Sequence, residues 1–212
     1  MAKGKNNFSK LGLGIALVIL GAILILGRNQ IATNLGTSFA DEPVEVSGFS
    51  SVEVAEEKIP KRIIIPELTV DLPVKKSRIV GGYWEVFSDS AGWGEGSGLP
   101  GETGNQVIFA HAREGLFLPL KEVKNGMRIY VFTENELDLS GLPENIAKTV
   151  SQEVGGGSLR QSNWYAYEVV EIKEVYPNET EVIEPTGDER LTLYTCSGFT
   201  DSKRLIVVAK RS

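Results

Sequence analysis

The sequence predicts an all-β domain, a barrel or sandwich of about eight short strands, behind one N-terminal apolar helix. Two observations carry the strands. Between Arg62 and Ala209 the apolar runs are short, rich in Val, Ile, Tyr and Phe, and separated by Pro- and Gly-bearing connections. Within one of them the apolar side chains alternate as Tyr165, Tyr167 and Val169, then change phase to Val170 and Ile172. Period-2 alternation belongs to a strand, and one extra residue in it shifts the phase, so a β-bulge is expected near Val169.

The elements follow in chain order. Leu11 to Gly27 is a run of seventeen uncharged residues flanked by Lys3, Lys5, Lys10 and Arg28 with no acid among them. As a helix it reaches about 25 Å against a hydrocarbon core of about 30 Å, so it spans with Lys10 and Arg28 snorkelling to the interfaces. The lysines ahead of it hold residues 1–10 in the cytoplasm and place everything after Arg28 outside, as a single-pass cell-membrane protein. A cleavable signal peptide ending at Ser38-Phe39-Ala40 is the rival reading. It fits less well, because the run exceeds the usual ~7–15 residue apolar region and Ala40 lies well beyond its end.

Residues 28–58 are expected to be an acidic stalk, since Asp41 to Lys58 holds six acids and few large apolar residues. The folded domain then occupies 59–212. Its strands are expected at 62–65, 69–74, 83–87, 106–110, 127–132, 164–175, 191–196 and 204–209. Leu116, Leu120 and Val123 stand at helical spacing before Asn125-Gly126, which predicts a short helix or single turn. Residues 133–163 interrupt the strands. Pro143 suits a helix start, Ile146, Val150 and Val154 share a side, and Gly155-Gly156-Gly157 ends it, so a helix-bearing insertion is expected. Ala91 to Gly104, with six glycines and Trp93, reads as a loop and a candidate mobile wall of a ligand groove.

Charge excludes one class of partner. Of 22 basic residues 18 follow Arg28, against 28 acids, a net of −10 for 29–212, so no nucleic acid is expected. One cysteine excludes an intrachain disulfide, and about 150 residues suffice for one hydrophobic core. In an exported domain Cys196 is an intermolecular bridge, a buried inert residue or a nucleophile. One His and one Cys in separate segments leave transition metals without a ligand set.

The lone histidine closes Val107-Ile108-Phe109-Ala110-His111, the lone cysteine closes Thr192-Leu193-Tyr194-Thr195-Cys196, and Arg204 opens Arg204-Leu205-Ile206-Val207-Val208-Ala209. A thiol becomes an effective nucleophile when a base or a cation stabilises its thiolate, so a Cys and a His brought together are a candidate catalytic pair. If the last two strands pair antiparallel across the loop 197–203, Cys196 and Arg204 face each other at its base.

This order, a strand ending in His, a strand ending in Thr-Leu-X-Thr-Cys and a strand beginning with Arg, resembles the sortases, membrane-anchored cysteine transpeptidases of Gram-positive bacteria. Ile63-Ile64-Ile65-Pro66 with Leu72-Pro73-Val74 is similar to the family's first strands, and Phe117-Leu118-Pro119-Leu120 to its segment after the histidine. Two positions depart from the pattern: Ala110 stands where a glycine usually precedes the histidine, and Met127 follows Gly126 where an acid is common.

The resemblance implies a closed or partly open eight-stranded sortase-like β-barrel with short helices. It implies that Cys196 attacks a Leu-Pro-X-Thr-Gly-like sorting signal, that His111 moves the proton and that Arg204 holds the oxyanion. Thr195, Thr192 and Trp93 are the expected substrate-binding residues. The implied partners are surface proteins or pilins with such signals and an amine acceptor, a cell-wall precursor or a pilin lysine. No cofactor is expected. Calcium is the one ion the family brings in, near the acidic run Glu179, Glu181, Glu184, Asp188 and Glu189. A non-catalytic anchored β domain that binds cell-wall partners, or another exported Cys/His peptidase, remains an alternative.

Overall fold

The computed structural model describes residues 44–46, 48–51, 53–133, 143–144, 164–199 and 202–212. The expected anchor at 11–27, the first part of the stalk and all of the expected insertion except Thr133, Pro143 and Glu144 lie outside these residues. Among the described residues no helix is long and apolar enough to cross a membrane.

Among the described residues there are eleven strands: β1 (Val44–Glu45), β2 (Arg62–Ile65), β3 (Val70–Ser77), β4 (Ile79–Val80), β5 (Tyr83–Trp84), β6 (Ala91–Gly94), β7 (Gly104–Phe109), β8 (Arg128–Phe132), β9 (Trp164–Val175), β10 (Glu189–Ser197) and β11 (Lys203–Arg211). Eight of them close a barrel in the order β10-β11-β9-β8-β2-β3-β6-β7, with β7 returning to pair with β10 in parallel. Closure leaves the barrel without a free edge. Pro73 is accommodated because Val74 donates to Lys61 across the β2 side, so the missing N–H of Pro73 points to the other side, where β6 joins only from Val74.

The barrel interior is filled by Ile63, Ile65, Leu72, Val74, Ile108, Ile129, Val131, Tyr167, Leu191, Leu193, Leu205 and Val207. A second apolar layer lies outside it, where Val107, Phe109, Tyr194, Ile206 and Val208 meet Trp84, Ile183, Val44 and Val46. Strands β7, β10 and β11 are therefore buried on both faces, and β11 runs continuously apolar from Leu205 to Ala209.

The expected bulge is present. Val208 pairs with Glu171 and Ala209 with Val169, so Val170 is the extra residue, and its side chain is exposed. The expected short helix is a 3-10 turn, Leu118–Glu122.

Two expectations are corrected. The segment 28–58 is not a solvated stalk throughout: β1 pairs antiparallel with β5 in a small sheet β1-β5-β4, and Val44 and Val46 are buried. A few apolar side chains spaced two apart suffice to dock an acidic segment, because its acids point to water. The glycine-rich stretch is likewise not a mobile wall along its whole length, because Ala91–Gly94 is the barrel strand β6 and is wholly buried. Its glycines admit aromatic rings laid flat on the strand. A Cβ at Gly94 would collide with the Trp84 ring, and one at Gly92 would stand 3.0 Å from Phe109.

Candidate active site

Strand register brings the three chemistry-bearing residues together. β7 and β10 run parallel with Tyr194 opposite Phe109, and Ala110 N–H donates to Tyr194 O (3.3 Å) one residue beyond. Two residues past each pair come Cys196 and His111, leaving neighbouring strand ends side by side. On the other side of β10, Cys196 is the register partner of Arg204 in antiparallel β11. Phe109 and His111 are two residues apart, as are Tyr194 and Cys196, and Ile206 and Arg204, so alternation puts all six on the outer face.

That face holds a pocket lined by His111, Cys196, Arg204, Thr195, Ala110, Phe109, Tyr194, Val86 and Val44. Cys196 and Arg204 are buried, and His111 is half-buried. Phe117 N–H donates to His111 O (3.0 Å), and Leu116 and Phe117 are core residues, so the chain after the histidine is pinned. Arg204 Nη1 donates to Lys203 O (3.1 Å), and the guanidinium itself lines the pocket. The apolar floor is braced from outside. Trp84 stacks on Phe109 with centroids 5.5 Å apart and planes 12° apart, and Phe49 tilts against Trp84 at 4.9 Å.

Of the six expected site residues, Cys196, His111, Arg204 and Thr195 line this pocket, and Thr192 and Trp93 do not. The Thr195 hydroxyl donates to Ala110 O (2.7 Å), so it is committed to the backbone beside His111 rather than offered to a substrate. Thr192 is fully buried, and its hydroxyl donates to Asn105 Oδ1 (2.6 Å). Trp93 belongs to the barrel interior, where its indole N–H donates to Gly98 O (2.9 Å), so it forms no groove wall. Sequence reading passed over Phe109, Tyr194, Val44 and Val86. The first two were legible from alternation, since they lie two residues before His111 and Cys196.

Three carboxylates of the acidic run, those of Glu179, Asp188 and Glu189, are held by protein donors. Glu179 accepts from Tyr176 N–H (2.6 Å), and Glu189 accepts from Tyr167 Oη and Gly101 N–H (both 3.0 Å). Burial and the Glu189 carboxylate raise the Tyr167 phenol far above its ordinary pKa. Asp188 is lowered to about 2 by hydrogen bonds from Arg190 and Lys210. Among the described residues no group of three or more His, Cys, Asp or Glu is placed to hold a metal ion.

Comparison with known proteins gives a consistent relationship. A family model described as the Sortase domain matches residues 63–212. Sortase A of Bacillus anthracis is 26% identical over 172 residues, 80% of this chain and 66% of that protein. Sortase A of Streptococcus agalactiae serotype III (strain NEM316) is 28% identical over 156 residues, 70% of this chain and 51% of that protein. The chain thus spans about two thirds and about half of these relatives' lengths. Among solved structures, sortase A from Corynebacterium diphtheriae aligns at a TM-score of 0.51 with 27% identity, covering 71% of this chain and 59% of that one. The pilus-related sortase C of Group B Streptococcus aligns at 0.53 with 25% identity, covering 86% and 84%. The matched span begins at the second residue of β2 and takes in every later barrel strand, the histidine, the cysteine and the arginine, and on that ground the chain belongs to the sortase family.

Proposed function

We propose that the chain is a membrane-anchored cysteine transpeptidase that cleaves a Leu-Pro-X-Thr-Gly-like sorting signal and transfers the upstream protein to an amine. The observation that carries this reading is the single pocket lined by Cys196, His111 and Arg204 over an apolar floor of Phe109 and Tyr194. The Cys196 thiolate attacks the Thr carbonyl, and the N–H donors of Arg204 hold the developing oxyanion. Collapse of the tetrahedral intermediate breaks the Thr–Gly C–N bond, and His111 protonates the departing amine. A thioester remains. The acceptor amine then attacks it, His111 takes its proton, and breaking of the C–S bond restores the thiolate.

The apolar run 11–27 supports attachment at the membrane, with residues 1–10 cytoplasmic and the barrel outside. The acceptor is a cell-wall precursor or a pilin lysine, and the donors are surface proteins or pilins carrying the signal.

Residues 41–212 incubated with a fluorogenic Leu-Pro-X-Thr-Gly peptide test the reading. Cleavage is expected only with Cys196 present, with a faster rate when hydroxylamine or a short glycine peptide is added, and with a thioester adduct on Cys196 by mass spectrometry. Cleavage that survives Cys196→Ala removes the mechanism. Silence across a library of sorting signals favours a non-catalytic binding domain.

A further inference from the structure

The barrel has an outward apolar face that neither of its two apolar clusters accounts for. Ile63, Ile65, Ile129, Val131, Tyr165 and Tyr167 pack in the interior cluster, so alternation turns Ile64, Tyr130, Phe132, Trp164 and Ala166 outward. Strand pairing gathers these five: Ile64 stands opposite Tyr130, Tyr130 opposite Ala166 and Phe132 opposite Trp164. The rings of Tyr130 and Trp164 tilt against each other with centroids 6.0 Å apart. Polar groups rim the patch, the Arg62–Asp71 ion pair on the β3 side and exposed Arg128 and Glu168 at the other end.

This face is dry. Ile64, Tyr130 and Phe132 are 2%, 3% and 1% exposed, and Trp164 Nε1 is shielded from solvent. Yet the first three belong neither to the barrel interior nor to the layer around Trp84. A buried apolar side chain touches about 6–12 other residues, so a further layer must cover them. The chain supplies a candidate. Because Phe132 and Trp164 are cross-strand partners, residues 134–163 leave and rejoin the barrel at the edge of the patch. Two residues suffice to turn such a hairpin, and thirty are present. Of these only Pro143 and Glu144 are described, and Glu144 is helical. At about 100° per residue, Ile146, Ala147, Val150 and Val154 fall within one arc of about 100°, and Glu144, Lys148 and Gln152 fall opposite. From Ile146 to Val154 the stripe is about 12 Å long, against about 10 Å across three strands. The other long apolar segment, 11–27, has no polar side to turn to water and suits lipid instead.

We propose that residues 143–154 form an amphipathic helix that docks its Ile146, Val150 and Val154 stripe on the outer face of β2, β8 and β9. Round the barrel β8 stands three strands from β10, and β2 three strands from β7. The docked helix therefore braces the wall opposite Cys196 and His111, and it takes no part in the chemistry. The polar rim of the patch meets the edges of the helix, and the side bearing Glu144, Lys148 and Gln152 faces water.

The test uses the full chain in detergent micelles. Ile146→Asp/Val150→Asp is expected to lower the thermal midpoint by about 5–10 °C, because it sets two charges against a face that must stay dry. Acrylamide quenching of tryptophan fluorescence is expected to increase, since Trp84 and Trp93 are fully buried and Trp164 becomes the accessible ring. Gln152→Asp, on the polar side, is expected to leave both quantities unchanged. Proximity is read in Cys196→Ala chains treated with a short bismaleimide. Val150→Cys with Ala166→Cys is expected to cross-link within one chain about tenfold faster than Lys148→Cys with Ala166→Cys, whose helical thiol starts about 200° round the axis. An unchanged midpoint with unchanged quenching in the double Asp variant overturns the proposal, as do equal rates for the two cysteine pairs. A cross-link that joins two chains overturns it in favour of a second copy on this face. If the double Asp variant does not fold, the cysteine pairs decide.

Discussion

Thr195 shows how far a side chain's role depends on its hydrogen-bond partner. Its hydroxyl donates to Ala110 O from a buried position, tying the residue before Cys196 to the residue before His111. Thr195→Val leaves that carbonyl without this donor inside a dry layer, at a cost of about 1–3 kcal/mol. The expected outcome is a lower thermal midpoint together with a fall in kcat/KM, both recovered by Thr195→Ser, as measured by calorimetry and peptide cleavage. Arg204 makes a different demand. It lies buried beside Cys196, and a lysine there keeps the charge but loses the planar fork. Arg204→Lys is expected to lower kcat/KM about 100-fold, the usual size of one lost oxyanion donor. A variant that turns over at the wild-type rate would remove that role. Both residues were legible in the sequence as members of motifs, but the hydroxyl's partner was not, because it lies 85 positions away.

At the scale of elements, the hairpin of β4 and β5 is fastened to the barrel by Glu95. Its backbone carbonyl accepts from the Trp84 indole (3.0 Å), and its carboxylate pairs with Lys76 (2.8 Å). Burial alone would raise this carboxyl's pKa. Hydrogen bonds from Lys76 and Ser51 outweigh burial and hold it below the ordinary glutamate value. The contribution of a group lowered in this way is present above the ordinary carboxylate range and is lost as pH falls through its folded value. Lys76→Met leaves a buried carboxylate with burial weakly opposed, which is expected to cost about 2–4 kcal/mol at neutral pH. Because the variant's Glu95 then binds its proton more readily, the deficit is expected to shrink as pH falls from the variant's folded-state value to the lower wild-type value. Denaturant midpoints across pH 3.5–7 measure it, and a deficit constant with pH would mean that Glu95 is not its source. The charge pattern alone could not reveal this pair, since Lys76 on β3 and Glu95, one residue past β6, become neighbours only through the parallel pairing of β3 and β6. β6 itself escaped notice because Ala91-Gly92-Trp93-Gly94 has low strand preference, and its glycines are explained only by the rings of Phe109 and Trp84 that lie over them.

At the scale of the molecule, the described residues form a barrel with an apolar layer on the outside of one wall, and Trp84 is the keystone of that layer. It is fully buried, stacks on Phe109 and meets Phe49. Trp84→Ala is expected to cost about 3–5 kcal/mol and to lower the thermal midpoint by roughly 10 °C, while far-ultraviolet dichroism keeps its β-sheet signature. A midpoint within a degree of wild type would mean that the outer layer adds nothing to the barrel.

Most strands of the barrel, the bulge in β9 and the three candidate site residues were written locally, because period-2 alternation, a phase change and a solitary Cys or His are properties of a few consecutive positions. The docking of Val44 and Val46, the burial of Trp93 and the Asn105–Thr192 link were decided only in three dimensions. A register partner, a ring lying on a glycine and a shared hydrogen bond each belong to two distant segments at once, and neither segment alone carries the information that pairs them.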